Sequence, residues 1–290
     1  VVAGVAAVAF VVGAPTTLPA SASAATAAPG SGIVVVGVES PSTSDPTRFA
    51  QATCPSGTVL YGGGGRITGG SGVVDLFQFQ PGDPAVGDHA FRVTALESTP
   101  YQFTWRVHAF AICGPPLAGL ERIVSAPSSL PVGATGTGAL AVCPAGKVVI
   151  STGALATSPG EAPLHWIRPM SNGTEVFAVI HRDDRVTPTP VASVTAFALC
   201  APAPPGYEIV ASGTQPNPRG LKSVWAWCRD GQVALGGGLT MFDATGHGHH
   251  HFTGFIPDEL FRQNIEVWAE GPGGTYDWAI ASWALCADDA

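Results

Sequence analysis

A chain of 290 residues with 12% charged side chains, 46% apolar residues, 37 Gly and 26 Pro is too apolar for disorder and too rich in turn formers for long helices. No i, i+3, i+4, i+7 apolar stripe free of Gly and Pro follows the N-terminal run, so the expected class is all-β. The formal net charge of −8, with 13 basic residues scattered singly, offers no cluster to neutralise phosphates and argues against nucleic acid as a partner.

Val1–Val12 is an unbroken apolar run, and no charged residue precedes Glu39. The small-residue string Ala20-Ser21-Ala22-Ser23-Ala24 follows it, the A-x-A pattern of a signal peptide cleaved after Ala22 or Ala24. The missing basic segment and initiating Met read as truncation of that peptide. Twelve apolar residues fall short of the roughly 20 that span a bilayer, so no transmembrane segment is expected. Residues 1–24 are therefore read as signal peptide and 25–32 as a flexible lead-in to a secreted, extracellular protein.

The six cysteines then reveal a repeat. Cys54-Pro-Ser-Gly57, Cys143-Pro-Ala-Gly146 and Cys228-Arg-Asp-Gly231 each place Gly three residues after Cys. Short apolar runs follow: Val59-Leu60-Tyr61, Val148-Val149-Ile150 and Val233-Ala234-Leu235. A further glycine comes ten residues past each cysteine, at Gly64, Gly153 and Gly238. Each unit closes on a strand ending in its second cysteine: Val107–Cys113, Val194–Cys200 and Ile280–Cys286. This is internal triplication, over residues 33–116, 120–203 and 206–290.

In the closing strands, alternation puts Ala109/Ala111, Ala196/Ala198 and Ser282/Ala284 on the cysteine's face, small enough for close approach of a neighbour. Phe110/Ile112, Phe197/Leu199 and Trp283/Leu285 occupy the other face, so these strands are expected to be buried on both sides. Other strands are read before the first cysteine (Ile33–Val38, Ile123-Val124, Ile209-Val210) and between the cysteines (from Phe91, Phe177 and Ile265). About five strands per unit follow. The expected architecture is three antiparallel units in a β-prism-like, pseudo-threefold arrangement, the alternative being consecutive small β-sandwiches.

The repeated pattern C-P-x-G…G-G-G…A-x-A-x-C-A resembles secreted cysteine-repeat proteins of actinobacteria, a likeness that covers nearly all of the chain after residue 32 and implies no particular activity. Unit three departs from it with Arg229 in place of Pro, which points to a different turn there. Three sheet-forming units also resemble, in architecture only, the β-prism of vitelline membrane outer layer proteins, and a fold does not carry function with it.

Six cysteines allow 15 pairings. A unit copied whole must already have folded with its own pair, and the separations of 59, 57 and 58 residues agree. The expected bridges are Cys54–Cys113, Cys143–Cys200 and Cys228–Cys286, oxidised as in an exported protein.

Candidates for chemistry are few. In Gly246–His251, an extended segment would point His247, His249 and His251 the same way, either as solvated loop residues or as a weak Zn or Ni site. No other cofactor is expected. His89, His108, His165 and His181 stand alone in sequence and are read as surface or half-buried strand residues. Asp183-Asp184 and Asp258-Glu259 read as loop charges, and Asn172-Gly-Thr174 as a turn. There is no G-x-S-x-G elbow and no H-E-x-x-H helix, so no catalytic residue is assigned. Of the seven tryptophans, Trp105 and Trp278 precede their closing cysteines by eight residues, and Trp225 and Trp227 lie at the third unit's entry, just before its first cysteine. Core filling is the simpler reading, and stacking on sugar rings the other. The expected function is a non-enzymatic extracellular protein that binds glycan or cell wall. The alternatives are a structural or protein-interaction module of the matrix and an enzyme of unknown type.

Overall fold

The computed structural model describes residues 32–289 apart from 71, 84–86, 159–161, 183–191, 244–249, 261 and 272–275. The expected signal peptide lies outside the described residues, which contain strands and turns and no helix.

Unit one supplies β1 (Val34–Glu39), β2 (Thr47–Thr53), β3 (Val59–Thr68), β4 (Val74–Asp83), β5 (Gly87–Glu97) and β6 (Arg106–Gly114). Unit two supplies β7 (Glu121–Val124), the short β8 (Ser128–Ser129), β9 (Gly136–Val142), β10 (Val148–Thr157), β11 (Leu164–Pro169), β12 (Glu175–His181) and β13 (Ser193–Ala201). Unit three supplies β14 (Glu208–Gly213), β15 (Leu221–Trp227), β16 (Gln232–Asp243), β17 (His251–Pro257), β18 (Asn264–Glu270) and β19 (Trp278–Asp288). Each unit thus carries six principal strands rather than five. The strand leading into the first cysteine and the one after the glycine-rich strand complete the set.

No unit keeps its strands in one sheet. The first sheet runs β1-β6-β3-β17-β18-β15, the second β2-β5-β4-β10-β13-β7 and the third β14-β19-β16-β11-β12-β9. Each sheet therefore joins a three-stranded half of one unit to a three-stranded half of another, and the sharing is cyclic: one with three, two with one, three with two. Consecutive sandwiches are incompatible with this connectivity, and the pseudo-threefold arrangement holds.

The three junctions are short and equivalent. They pair Gly254 and Phe255 with Arg66 and Gly65, Ala154 and Leu155 with Phe79 and Gln78, and Trp166 and Ile167 with Thr240 and Leu239. Here lies the reason for the glycine ten residues after each cysteine. A methyl group at Gly64 would collide with the carbonyl oxygen of Phe255, at Gly153 with that of Phe79, and at Gly238 with that of Ile167. Each glycine lets a strand from another unit approach its backbone. The buried rings of Phe79 and Phe255 then meet edge to face at 5.8 Å, joining two sheets.

A bulge repeats as well, at Tyr61, Ile150 and Leu235, each opposite the closing strand beside its cysteine. Ahead of it, the Cys-x-x-Gly turns close through Thr58 N to Pro55 O (3.1 Å), Lys147 N to Pro144 O (3.1 Å) and Gln232 N to Arg229 O (3.0 Å). Gly57, Gly146 and Gly231 adopt φ of +84°, +82° and +81°. The third turn is therefore not different. The turn itself needs only the carbonyl of the Pro/Arg position, which any residue supplies; Arg229 adds a backbone N–H that donates to Gln232 Oε1 at 3.2 Å and an ion pair with Glu208 at 2.6 Å.

All three expected disulfides are present, with Cα–Cα distances of 5.6, 5.7 and 5.6 Å. The first cysteine of each pair follows β2, β9 or β15 and the second lies in β6, β13 or β19, so every bridge ties together two different sheets. The closing strands are buried on both faces, as expected. The small face of β6 and β3 receives another sheet: methyl groups at Gly63 and Gly65 would strike Phe91 and Val93 of the second sheet. The bulky face is covered by side chains, with Phe110 lying against Gly37, stacked by His108 and overlain by Arg66.

Candidate functional site

Strands β15 and β18 alternate cleanly. Val224, Ala226, Ile265, Val267 and Ala269 point into the core, while Trp225, Trp227, Glu266, Trp268 and Glu270 face outward. The register places Trp225 opposite Glu266, Ser223 opposite Trp268 and Leu221 opposite Glu270. On the next strand, Gly254 is paired with Trp268 and Ile256 with Glu266, and Gly254 in turn with Arg66 of β3. The missing side chain at Gly254 keeps the surface low beside the Trp268 indole. Trp225, Trp227 and Trp268 are 42%, 53% and 36% exposed, high values for the largest apolar side chain.

Two adjoining clefts of about 400 and 520 Å³ cover this face and share Arg66, Ile256 and Glu266. Trp268 and Glu270 line the first, Trp225, Trp227 and Asp258 the second. The Asp258 carboxylate is held in place by Leu260 N at 2.9 Å and Asn264 Nδ2 at 3.0 Å. Arg66 is also the register partner of His108 on the neighbouring strand and acts on it. Burial pushes the His108 pKa below its ordinary value, and Arg66 adds to that, while Glu39 opposes it. Flat aromatic faces flanked by fixed polar groups can stack on the apolar face of a ring and accept hydrogen bonds from its hydroxyls.

No protein-family model and no curated protein matches the chain.

Unit one has Gln51 and Thr53 where unit three has Trp225 and Trp227, counting back from the first cysteine, and unit two has Leu140 and Val142. The tryptophan pair thus belongs to unit three alone, while the groove's other wall comes from β3 of unit one. The other tryptophans divide differently. Trp105 and Trp278 are fully buried, their indole N–H groups donating to Glu97 Oε1 (2.8 Å) and Arg219 O (2.7 Å). A cation covers each ring, Arg48 at 5.0 Å and Lys222 at 4.7 Å, from positions six residues before their respective first cysteines. Core filling is therefore right for these two and wrong for Trp225 and Trp227.

Of the histidine tract, His247 and His249 lie outside the described residues. His251 opens β17, is buried, and contacts the buried carboxylate of Asp75 in unit one through Nδ1. Among the described residues no group of three metal-capable side chains comes together. His108 is half-buried against Glu39, as a strand histidine should be. His165 and His181, far apart in sequence, stack at 4.6 Å beside a cleft shared with Asp277 and Trp278. Asn172-Gly-Thr174 is a turn, closed by Thr174 N donating to Asn172 Oδ1 at 3.0 Å. Asp183-Asp184 lies outside the described residues.

Sequence reasoning missed Arg66, Glu266, Trp268 and Glu270 as partners of Trp225 and Trp227. The alternation of Glu266, Trp268 and Glu270 along one strand was a usable signal. That β15 and β18 share a sheet with β3 of unit one was not.

Proposed function

We propose that the protein is a secreted, non-enzymatic carbohydrate-binding protein whose outward groove on β15, β18 and β17 holds an extracellular or cell-wall glycan. The observation that carries this reading is the outward row of Trp225, Trp227 and Trp268, set beside Arg66 and Glu266 on a sheet whose other face is core. Leaving three indoles partly in water forgoes part of the burial free energy of large apolar groups, about 1.5–3 kcal/mol for an ordinary apolar side chain when fully buried. Their exposure is accounted for if a ligand covers them. Three inter-sheet disulfides, the apolar run followed by A-x-A at residues 1–24, and the likeness to secreted actinobacterial cysteine-repeat proteins support an extracellular setting. Among the described residues no helix is long and apolar enough to cross a membrane.

A glycan array, followed by co-sedimentation with insoluble cell-wall polysaccharide, tests the reading. Retention on polysaccharide is expected, and competition by a soluble oligosaccharide should release the protein. A second reading, a protein-interaction module, draws on β15 being the last strand of its sheet, open to pairing with a partner's strand. Failure to bind any glycan, combined with capture of a protein partner that Trp227→Ala abolishes, would favour that reading.

A further inference from the structure

We infer that the groove selects glycans carrying free amines, such as a β-linked glucosamine oligomer, over neutral glycans of the same length, and rejects uronate or phosphate-bearing polymers. This rests on the glycan-binding reading of the groove and adds the class of sugar.

The argument is one of charge complementarity. Four carboxylates line the two clefts, those of Glu266, Glu270, Asp258 and Glu259, against the single cation Arg66. Glu266 is shared by both clefts and stands in register with Trp225, and Glu270 is two residues beyond Trp268 on the same face. An ammonium group entering here meets a carboxylate and an indole face together. The ring quadrupole attracts cations, and the paired carboxylate supplies a charge-assisted hydrogen bond. A polyanion would instead bring like charge against four acids, on a protein whose formal net charge is already −8. Arg66 alone does not reverse that sign. It can receive the hydroxyls or the ring oxygen of a neighbouring sugar.

The test compares three probes by isothermal titration calorimetry with the whole protein: a glucosamine hexamer, its fully N-acetylated counterpart and an oligogalacturonate of equal length. At about pH 6 an amine is protonated and surface carboxylates are ionised. In about 10 mM salt the glucosamine hexamer is expected to bind at least roughly fivefold more tightly than the acetylated one. That preference should vanish in about 0.5 M salt, where exposed charges are screened. The Glu266→Gln/Glu270→Gln variant should lose the preference, its affinity for the glucosamine hexamer falling by a larger factor than its affinity for the acetylated oligomer. The salt arm uses the unaltered protein, so misfolding of the variant would leave the test standing. Equal affinity for the two hexamers, or tighter binding of the galacturonate, would overturn the amine selectivity while leaving glycan binding intact. Absence of binding by all three would overturn the amine selectivity, while the glycan array decides the glycan reading separately.

Discussion

Trp225 on β15 stands directly opposite Glu266 on β18, so an indole and a carboxylate share one row of the outward surface. The pairing follows from the register, and the register is fixed by the inward row: Val224, Ala226, Ile265 and Val267 must face the core, because a slip of one residue would expose them all. The same hydrophobic force that builds the sheet thus sets the spacing of the groups on its other face. Nothing in the core demands tryptophan there. In the equivalent positions units one and two fold with Gln51 and Leu140.

The junction glycines are expected to tolerate no side chain. Gly64→Ala, Gly153→Ala and Gly238→Ala each drive a methyl group into a carbonyl of another unit, and each should destabilise by about 1–3 kcal/mol or more. Gly57→Ala meets no atom, and its cost should come from φ alone, about 1–2 kcal/mol. Urea unfolding measures both. Equal and small effects at the three junction glycines would show that the strands do not approach as closely as described.

Because every sheet is shared between two units, unfolding is expected to be a single cooperative transition. Residues 120–203 alone should not hold the fold, since β10 would lose its neighbour β4 and β11 its neighbour β16. Removing one bridge, by Cys143→Ala/Cys200→Ala, should cost up to about 4 kcal/mol for a loop of this length and lower the melting temperature of the entire molecule. Calorimetry showing three independent transitions, with only one shifted in the variant, would contradict the shared sheets.

Much of this architecture was legible in the chain. The triplication, the disulfide pairing and the doubly buried closing strands all follow from cysteine spacing and period-2 alternation. Gly64, Gly153 and Gly238 stood out as repeated positions, but their purpose was not readable, because the colliding carbonyls belong to other units. The strands β2, β9 and β15 escape a sequence reading because only one face of each is buried and their outward residues differ from unit to unit. The groove was half-visible for the same reason. Trp225 and Trp227 could be noticed from sequence, yet Arg66 reaches them only through the junction of β3 with β17.

Stability should also depend on pH through His108. Its folded pKa lies below the ordinary 6.5, chiefly because burial disfavours the charged form and Arg66 repels it. As pH falls below about 6.5, the unfolded chain takes up a proton that the folded protein refuses, so stability decreases with falling pH until the folded pKa is reached. The contribution is fully present above that window. His108→Gln should flatten the fall in melting temperature between about pH 7 and pH 5. An unchanged slope in the variant would show that other groups carry the acid sensitivity.

Glycan binding at the tryptophan face is tested most directly by the affinity of Trp225→Ala/Trp227→Ala for an oligosaccharide that the unaltered protein binds, with both melting temperatures measured in parallel. The two indoles are exposed, so the melting temperature should move by no more than a degree or two, the scale of an ordinary surface substitution. Affinity should fall by about tenfold or more, as the loss of two stacking faces requires. Undiminished affinity in a folded variant would contradict the assignment of this face as the binding site.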